Sequence, residues 1–134
     1  VCVIPKESVL RVARPTDRLD ELARMYVDGL GFNVLMEFHD HAGFDGVILG
    51  HPGHPYHLEF THHRGTVVGG APTRDNLLVF YVPHPETWAL CCSTMTEAGF
   101  KEVVSYNEYW DRLGKTFEDV DGYRVVIQND TWNA

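Results

Sequence analysis

Met25-Tyr26-Val27-Asp28-Gly29-Leu30-Gly31-Phe32 closes an amphipathic stretch on a glycine and a phenylalanine, and the same ending returns as Ala98-Gly99-Phe100. The offset is 68 residues, and it holds again between Gly46-Val47-Ile48 and Gly114-Lys115-Thr116. Tyr56-His57-Leu58-Glu59-Phe60 is echoed by Tyr123-Arg124-Val125-Val126-Ile127 at an offset of 67. Self-similarity at a fixed spacing marks a chain built from two copies of one supersecondary unit. The copies part where chemistry is concerned, because Glu59 in the first is matched by Val126 in the second.

Outward from that stretch, residues 8–14 read as a strand, and Thr16 or Asp17 offers a helix N-cap with Asp20 and Glu21 in the first turn. Leu19, Leu22, Ala23, Met25, Tyr26 and Leu30 keep helical spacing, and Gly29 and Gly31 supply the stop. Residues 33–38, 46–50 and 56–61 follow as strands, separated by polar stretches at 39–45 and 51–55 that read as loops. The half is βαβββ. The second half repeats it, with strands at 77–82, 102–106, 115–118 and 123–128 and a helix at about 86–98. Trp88, Cys91, Cys92, Met95 and Ala98 share one face of that helix, the pattern of a core face. The Gly-, Thr- and Pro-rich stretch 62–76 is the linker, so one domain over 1–134 is expected, with modules at about 8–62 and 76–130.

At 134 residues with 44% apolar side chains, the chain can bury one core, whereas each half alone would be marginal. A formal charge of −8, with no dense Lys/Arg cluster, argues against a nucleic-acid surface. The longest apolar run, 77–82, is far short of the roughly 20 residues of a membrane-spanning helix. Residues 1–8 carry no leader pattern, and a cytoplasmic location is expected. Cys2, Cys91 and Cys92 fit neither a disulfide framework nor a zinc knuckle and read as reduced thiols packed as small apolar groups.

A paired βαβββ arrangement carrying MYVDGLGF (25–32) and FEDVDGYRV (117–125) resembles the vicinal oxygen chelate superfamily of glyoxalases, bleomycin-resistance proteins and extradiol dioxygenases. The resemblance implies an α+β fold, two tandem βαβββ modules forming a cupped mixed sheet, with the first and last strands of each module side by side. It further implies a homodimer with shared cups, and in the enzymes a divalent metal held by one residue from each of four strands. Carried onto this chain, the first ligand position falls on Arg11, the second on Glu59, the third in 76–79, where only Asn76 has a ligating atom, and the last on Val126. Arginine cannot ligate, because its guanidinium stays protonated and has no free lone pair.

If Glu59 faces the cup, strand alternation sends His57 and Thr61 with it, and Arg124, Val126 and Gln128 inward from the other half. Arg11 beside Glu59 is then expected to form a bidentate ion pair in the place of the metal. His39, His41, His51, His54, His62 and His63 lie among Gly, Pro and Asp and read as solvated or hydrogen-bonded, although His57, Glu59 and one loop histidine would suit zinc, nickel, iron or manganese. His57 and Glu59 also suit metal-free acid/base chemistry. Tyr109 and Trp110 can wall the cup with flat contacts, and Arg11 with Arg124 favours an anion.

Three functions follow in order. The first is a binder of a small, anionic or aromatic molecule, with no cofactor favoured. The second is a metal-dependent lyase, isomerase or dioxygenase of the glyoxalase kind. The third is a metal-free enzyme using His57 and Glu59.

Overall fold

A computed structural model describes residues 3–133. Strand β1 (Leu10–Pro15), helix α1 (Leu19–Leu30), β2 (Asn33–His41), β3 (Phe44–Gly50) and β4 (Tyr56–His63) make the first module. Strand β5 (Leu77–Tyr81), helix α2 (Pro85–Glu97), β6 (Lys101–Val103), a 3-10 turn (Glu108–Asp111), β7 (Gly114–Glu118) and β8 (Arg124–Gln128) make the second. The sheets have the same topology, β1-β4-β3-β2 and β5-β8-β7-β6, and in each the first and last strands are parallel neighbours. The duplication read from the glycines is a duplication of the fold.

Gly31 ends α1 in the left-handed conformation at φ 70°, and Gly99 stands at φ 97° after α2, so the repeated glycine answers the same backbone need twice. Gly29 has another role than the stop expected of it. It lies inside α1, where a Cβ would come within 2.7 Å of the Phe100 ring and 3.1 Å of the Met95 sulfur. Its missing side chain is what lets α2 approach α1.

The expected cap of α1 also differs. The N-cap is Arg18, without a side-chain cap bond. The Thr16 hydroxyl instead accepts from the Arg18 N–H at 2.9 Å, and the Asp17 carboxylate reaches across to accept from Val68 and Gly69 N–H, both at 2.9 Å. Those two backbone bonds hold the Asp17 carboxyl below the usual carboxylate range and tether the linker to the start of α1.

The polar stretch 39–45, expected as a loop, continues the arms of the β2–β3 hairpin. Ala42 and Gly43 take φ 52° and 87°, the positive-φ pair of a tight two-residue turn. In the second module, the strand expected at 102–106 stops at Val103, and Tyr106 is exposed on the segment that leads to the 3-10 turn. There the Ser105 N–H donates to Asp111, and the Ser105 and Thr116 hydroxyls are hydrogen-bonded, which bends the chain back over its own sheet.

Both helices and the helix-facing sides of both sheets share one core. Tyr26 sits at its centre, edge-on to Phe60 at 4.9 Å and to Phe100 at 5.3 Å. Leu22, Leu49, Met95, Phe117 and Val125 are fully buried around it, and burial of each large apolar side chain contributes about 1.5–3 kcal/mol. Cys92 and Met95 are buried and Trp88, Cys91 and Ala98 pack beside them, the face expected of α2. Trp88 Nε1 donates to the Ile127 carbonyl at 2.8 Å, pinning α2 to β8. Cys91 and Cys92 are free thiols, and burial pushes Cys92 up to about 11, while Cys2 lies outside the described residues. No helix among the described residues is long and apolar enough to cross a membrane.

Candidate functional site

Alternation along β4 puts Leu58 and Phe60 in the core and turns His57 and Glu59 to the opposite, outer face of the first sheet. Parallel pairing with β1 then sets what each meets. Arg11 stands across from His57, and Glu59 across from Ala13. The expected bidentate Arg11–Glu59 pair is therefore not what forms. Arg11 Nε donates to His57 Nε2 at 2.8 Å, and one Nη lies 3.9 Å from the Glu59 carboxylate, beyond hydrogen-bonding distance. The reason is geometric: a side chain directly opposite takes the near donor, and only the far end of the guanidinium reaches the diagonal carboxylate. Because the arginine can only donate, His57 Nε2 is the acceptor, and a neutral imidazole carries its proton on Nδ1.

The Glu59 side chain is mostly covered, at 16% exposure, while Arg11 is half exposed. Ile48 lies beside Glu59 on the same face, and Phe38 fills the space over Gly46, where a Cβ would meet the ring at 2.1 Å. The outer face thus presents a cation, an imidazole and a carboxylate on an apolar bed.

The four positions at which the superfamily's enzymes hold a metal are now readable from the pairing. His57 and Arg124 are equivalents, and Arg124 pairs with Leu77 as His57 pairs with Arg11. Glu59 and Val126 are equivalents, and Val126 pairs with Val79 as Glu59 pairs with Ala13. The second module therefore offers Leu77, Val79 and Val126, all without a lone pair to give. Asn76, the one candidate in 76–79, precedes β5, and its amide oxygen accepts from the Thr73 hydroxyl. Among the described residues no three or more His, Cys, Asp or Glu side chains gather in metal-binding proximity. This donor set does not fit the four-ligand metal site of the fold.

The histidine-rich end of the first module is shared among separate contacts. His62 bonds to the Thr16 carbonyl at 3.0 Å, His63 stacks on Phe44 at 4.3 Å and bonds to Thr66 at 3.1 Å, and His51 neighbours His54 at 5.1 Å. Across that end, Arg64 donates twice to Asp45, which with the Asp40 N–H holds the Asp45 carboxyl down at about 2.

On the second module the outer-facing residues are Arg124, Val126 and Gln128, all buried. Arg124 was expected to offer its charge beside Arg11 and is already engaged. Its Nε donates to Glu118 at 3.1 Å, and Nη1 reaches the Val104 carbonyl at 3.5 Å. Gln128 has a buried side-chain oxygen without a partner, pressed where a Cβ on Gly114 would sit only 2.4 Å away. Tyr109 and Trp110 lie on the 3-10 turn, edge-on to each other at 4.9 Å, with the Arg112 guanidinium 5.8 Å over Tyr109. Among the described residues no hydrogen bond, ion pair or ring contact joins Tyr109, Trp110, Arg124 or Gln128 to Arg11, His57 or Glu59. Within this chain the modules meet through their helix-facing sides.

That meeting is made by residues the sequence reading passed over. Arg14 on β1 donates from Nη2 to the Asp119 carboxylate at 2.7 Å, and the Tyr26 hydroxyl donates to the same oxygen at 2.7 Å. The other Asp119 oxygen accepts from the Asp121 and Tyr123 N–H groups at 2.8 and 3.1 Å. The guanidinium is stacked 3.8 Å over Tyr123 and 4.8 Å over Phe60. Burial alone would pull Arg14 down, but Tyr26 and Asp119 outweigh it and raise it. Burial first, then the Asp119 charge, holds the Tyr26 phenol well above its ordinary value, so it remains a donor. One signal was present: Asp119-Val120-Asp121-Gly122-Tyr123 is a turn sequence, with Gly122 at φ 86°, whose first aspartate closes the turn.

Residues 10–61 match the model of the YycE-like N-terminal domain, and residues 75–129 that of the YycE-like C-terminal domain. The uncharacterized protein YycE of Bacillus subtilis is 46% identical over 120 residues, covering 90% of this chain and 86% of the relative. A crystal structure of a YycE protein of unknown function from B. subtilis superposes with a TM-score of 0.88 at 43% identity, covering 96% of this chain and 94% of that one. At the level of fold alone, glyoxalase I of Leishmania major superposes with a TM-score of 0.69 at 18% identity, covering 91% and 86% of the two chains. TnmS3, an antibiotic-binding protein from Streptomyces, does so with a TM-score of 0.61 at 19% identity, covering 90% and 93%. The chain belongs to the YycE-like family, and its fold is that of the vicinal oxygen chelate superfamily of glyoxalases and fosfomycin- and bleomycin-resistance proteins.

Proposed function

We propose that this protein binds a small anionic or aromatic molecule on the outer face of the first sheet, with Arg11 supplying the positive charge that a metal supplies in the superfamily's enzymes. The observation that carries the reading is the Arg11 guanidinium, bonded to His57 and within ion-pair range of Glu59, together with Leu77, Val79 and Val126 at the equivalent positions of the second module. The covered carboxylate keeps the cation in place, and the half-exposed guanidinium retains N–H groups for an incoming carboxylate.

The cup that encloses the ligand is shared between two copies of the chain in this reading. Each module turns its outer face away from the core, and the neighbouring β2 edge exposes Val34, Leu35 and Met36. A partner's second module, bringing Tyr109 and Trp110, would cover that apolar surface and supply a wall for an aromatic ligand. The two modules of each chain act as one domain over 1–134, joined by the Arg14–Asp119 contact, in a cytoplasmic protein with reduced cysteines. Acid/base chemistry by His57 and Glu59 has less support, because the His57 lone pair that would take a proton accepts from Arg11.

The test joins elemental analysis to binding. Purified protein is expected to carry far less than one divalent metal per chain, alike in wild type and Glu59→Ala, and to run as a dimer. An aromatic carboxylate probe, 4-hydroxybenzoate, is expected to shift the NMR signals of His57 and Trp110, and Arg11→Ala to abolish the shifts. Stoichiometric metal that disappears in Glu59→Ala would overturn the reading and restore the metal-dependent enzyme.

A further inference from the structure

Arg14, Arg64 and Arg124 each hydrogen-bond a carboxylate directly, Asp119 at 2.7 Å, Asp45 at 2.9 Å and Glu118 at 3.1 Å. Arg11 does not. Its Nε is taken by His57, and its Nη1 stops 3.9 Å from Glu59 Oε2, so cation and carboxylate face each other across an open gap. Glu59 is only 16% exposed, yet among the described residues its carboxylate accepts no hydrogen bond. A covered carboxylate without a donor is short of a partner.

The neighbours keep the gap open. Across β1, Glu59 faces Ala13, whose methyl is too short to fill the space before the carboxylate, and across β3 it faces Ile48, which has nothing to donate. Arg11 cannot swing onto Glu59 without giving up its bond to His57. With His57 neutral, the charges of Arg11 and Glu59 cancel, so the face is dipolar rather than cationic. A plain monoanion seated on Arg11 also meets the Glu59 charge, and a plain amine seated on Glu59 meets Arg11, both at close range where water is partly excluded. A ligand carrying both charges side by side satisfies the two groups together.

We infer that the ligand of this face is a zwitterion, an α-amino acid with an apolar side chain, its carboxylate on Arg11 and its ammonium on Glu59, a ligand class that rests on the outer-face binding proposed above and narrows it. Ligand atoms about 2.7–2.9 Å in front of Arg11 Nη1 and Glu59 Oε2 stand side by side, as an ammonium and a carboxylate on one carbon do. The apolar side chain then lies over Ile48 and toward the Phe38 ring on the same face. Glu59 is the residue that sets specificity, because it alone tells an amino acid from the acid that lacks the ammonium.

L-phenylalanine, 3-phenylpropionate and phenethylamine share one ring and chain and differ only in charge, and are titrated calorimetrically into the wild-type protein at neutral pH. Phenylalanine is expected to bind saturably, with the other two weaker by about tenfold or more. Glu59→Gln, checked for folding by circular dichroism, is expected to remove that preference by weakening phenylalanine about tenfold while 3-phenylpropionate holds or tightens. Arg11→Ala is expected to abolish binding of both acids. The zwitterion is overturned if 3-phenylpropionate binds the wild type as tightly as phenylalanine, a comparison that needs no variant, or if a folded Glu59→Gln protein keeps the wild-type ratio. Binding of 3-phenylpropionate that depends on Arg11, with none of phenylalanine, overturns the zwitterion and leaves the outer-face site standing. No binding of any of the three, or of 4-hydroxybenzoate, overturns both.

Discussion

Replacing Asp119 by asparagine keeps the shape of the side chain and removes only its charge, which makes it the sharpest probe of what joins the two modules. In the native protein one carboxylate oxygen receives Arg14 and Tyr26, both at 2.7 Å, and the other receives two backbone N–H groups of the β7–β8 turn. An asparagine that keeps its carbonyl toward the turn points its NH2 at Arg14 and Tyr26, setting a donor against two donors. Flipping the amide spares that clash and breaks the turn. Either way the guanidinium, 14% exposed and walled by Tyr123 and Phe60, loses its anion, while the Asp119 side chain has no exposure through which water could compensate. Breaking a buried ion pair by removing one partner costs about 3–5 kcal/mol. That is a fifth or more of the roughly 5–15 kcal/mol by which a domain is stable.

The assay is equilibrium urea unfolding of wild type, Asp119→Asn, Arg14→Met and the double variant. Asp119→Asn is expected to lower the unfolding free energy by about 3–5 kcal/mol, and the double variant to lose well less than the sum of the single losses, because it leaves no unpaired charge. Tyr26→Phe, which removes one neutral donor to a charged acceptor, is expected to cost about 1.5–3 kcal/mol. A loss below about 1 kcal/mol for Asp119→Asn, or strict additivity of Arg14→Met and Asp119→Asn, would refute the claim that this pair holds the modules together.

Gly114→Ala is expected to destabilise by about 1–3 kcal/mol, since its Cβ would stand 2.9 Å from the Trp110 carbonyl and 3.0 Å from that of Ile127, both backbone atoms; a neutral result in thermal unfolding would show that the 3-10 turn is not held against β7 and β8. The Asp45 carboxyl, depressed by Arg64, contributes stability that is complete above the ordinary value of 3.8 and is lost as pH falls toward about 2. Carboxyl NMR is expected to show Asp45 titrating at about 2 in wild type and rising toward the ordinary value in Arg64→Gln, and an ordinary wild-type value would contradict the contact. Cys92, raised to about 11 by burial, is expected to resist alkylation in the folded protein and to react once urea unfolds it; rapid modification under native conditions would contradict its place in the core.

Much of the fold was legible because it is written in short-range signals. The left-handed glycines at 31 and 99, the helical spacing of Leu22, Met25 and Tyr26, and the alternation that buries Leu58 and Phe60 while turning out His57 and Glu59 each depend on a few consecutive residues. Alternation also decided correctly that Arg124, Val126 and Gln128 lie on the equivalent face of β8, opposite the core residues Val125 and Ile127. Gly29 misled because a glycine near a helix end reads as a stop, whereas here it answers to Phe100, which is 71 residues away in sequence.

By itself the sequence determined two βαβββ units and a vicinal-oxygen-chelate-like fold. It also determined that Glu59 has no acidic counterpart at Val126. Only the tertiary structure decided which side chain Arg11 meets, for strand register is set by pairing between β1 and β4, and two residues of register separate a carboxylate partner from an imidazole. It alone showed that Arg124 belongs to Glu118, and that Arg14 crosses 105 residues of sequence to reach Asp119. Local periodicity tells which way a side chain points. What stands in front of it depends on packing between distant segments, where burial and charge make the choice.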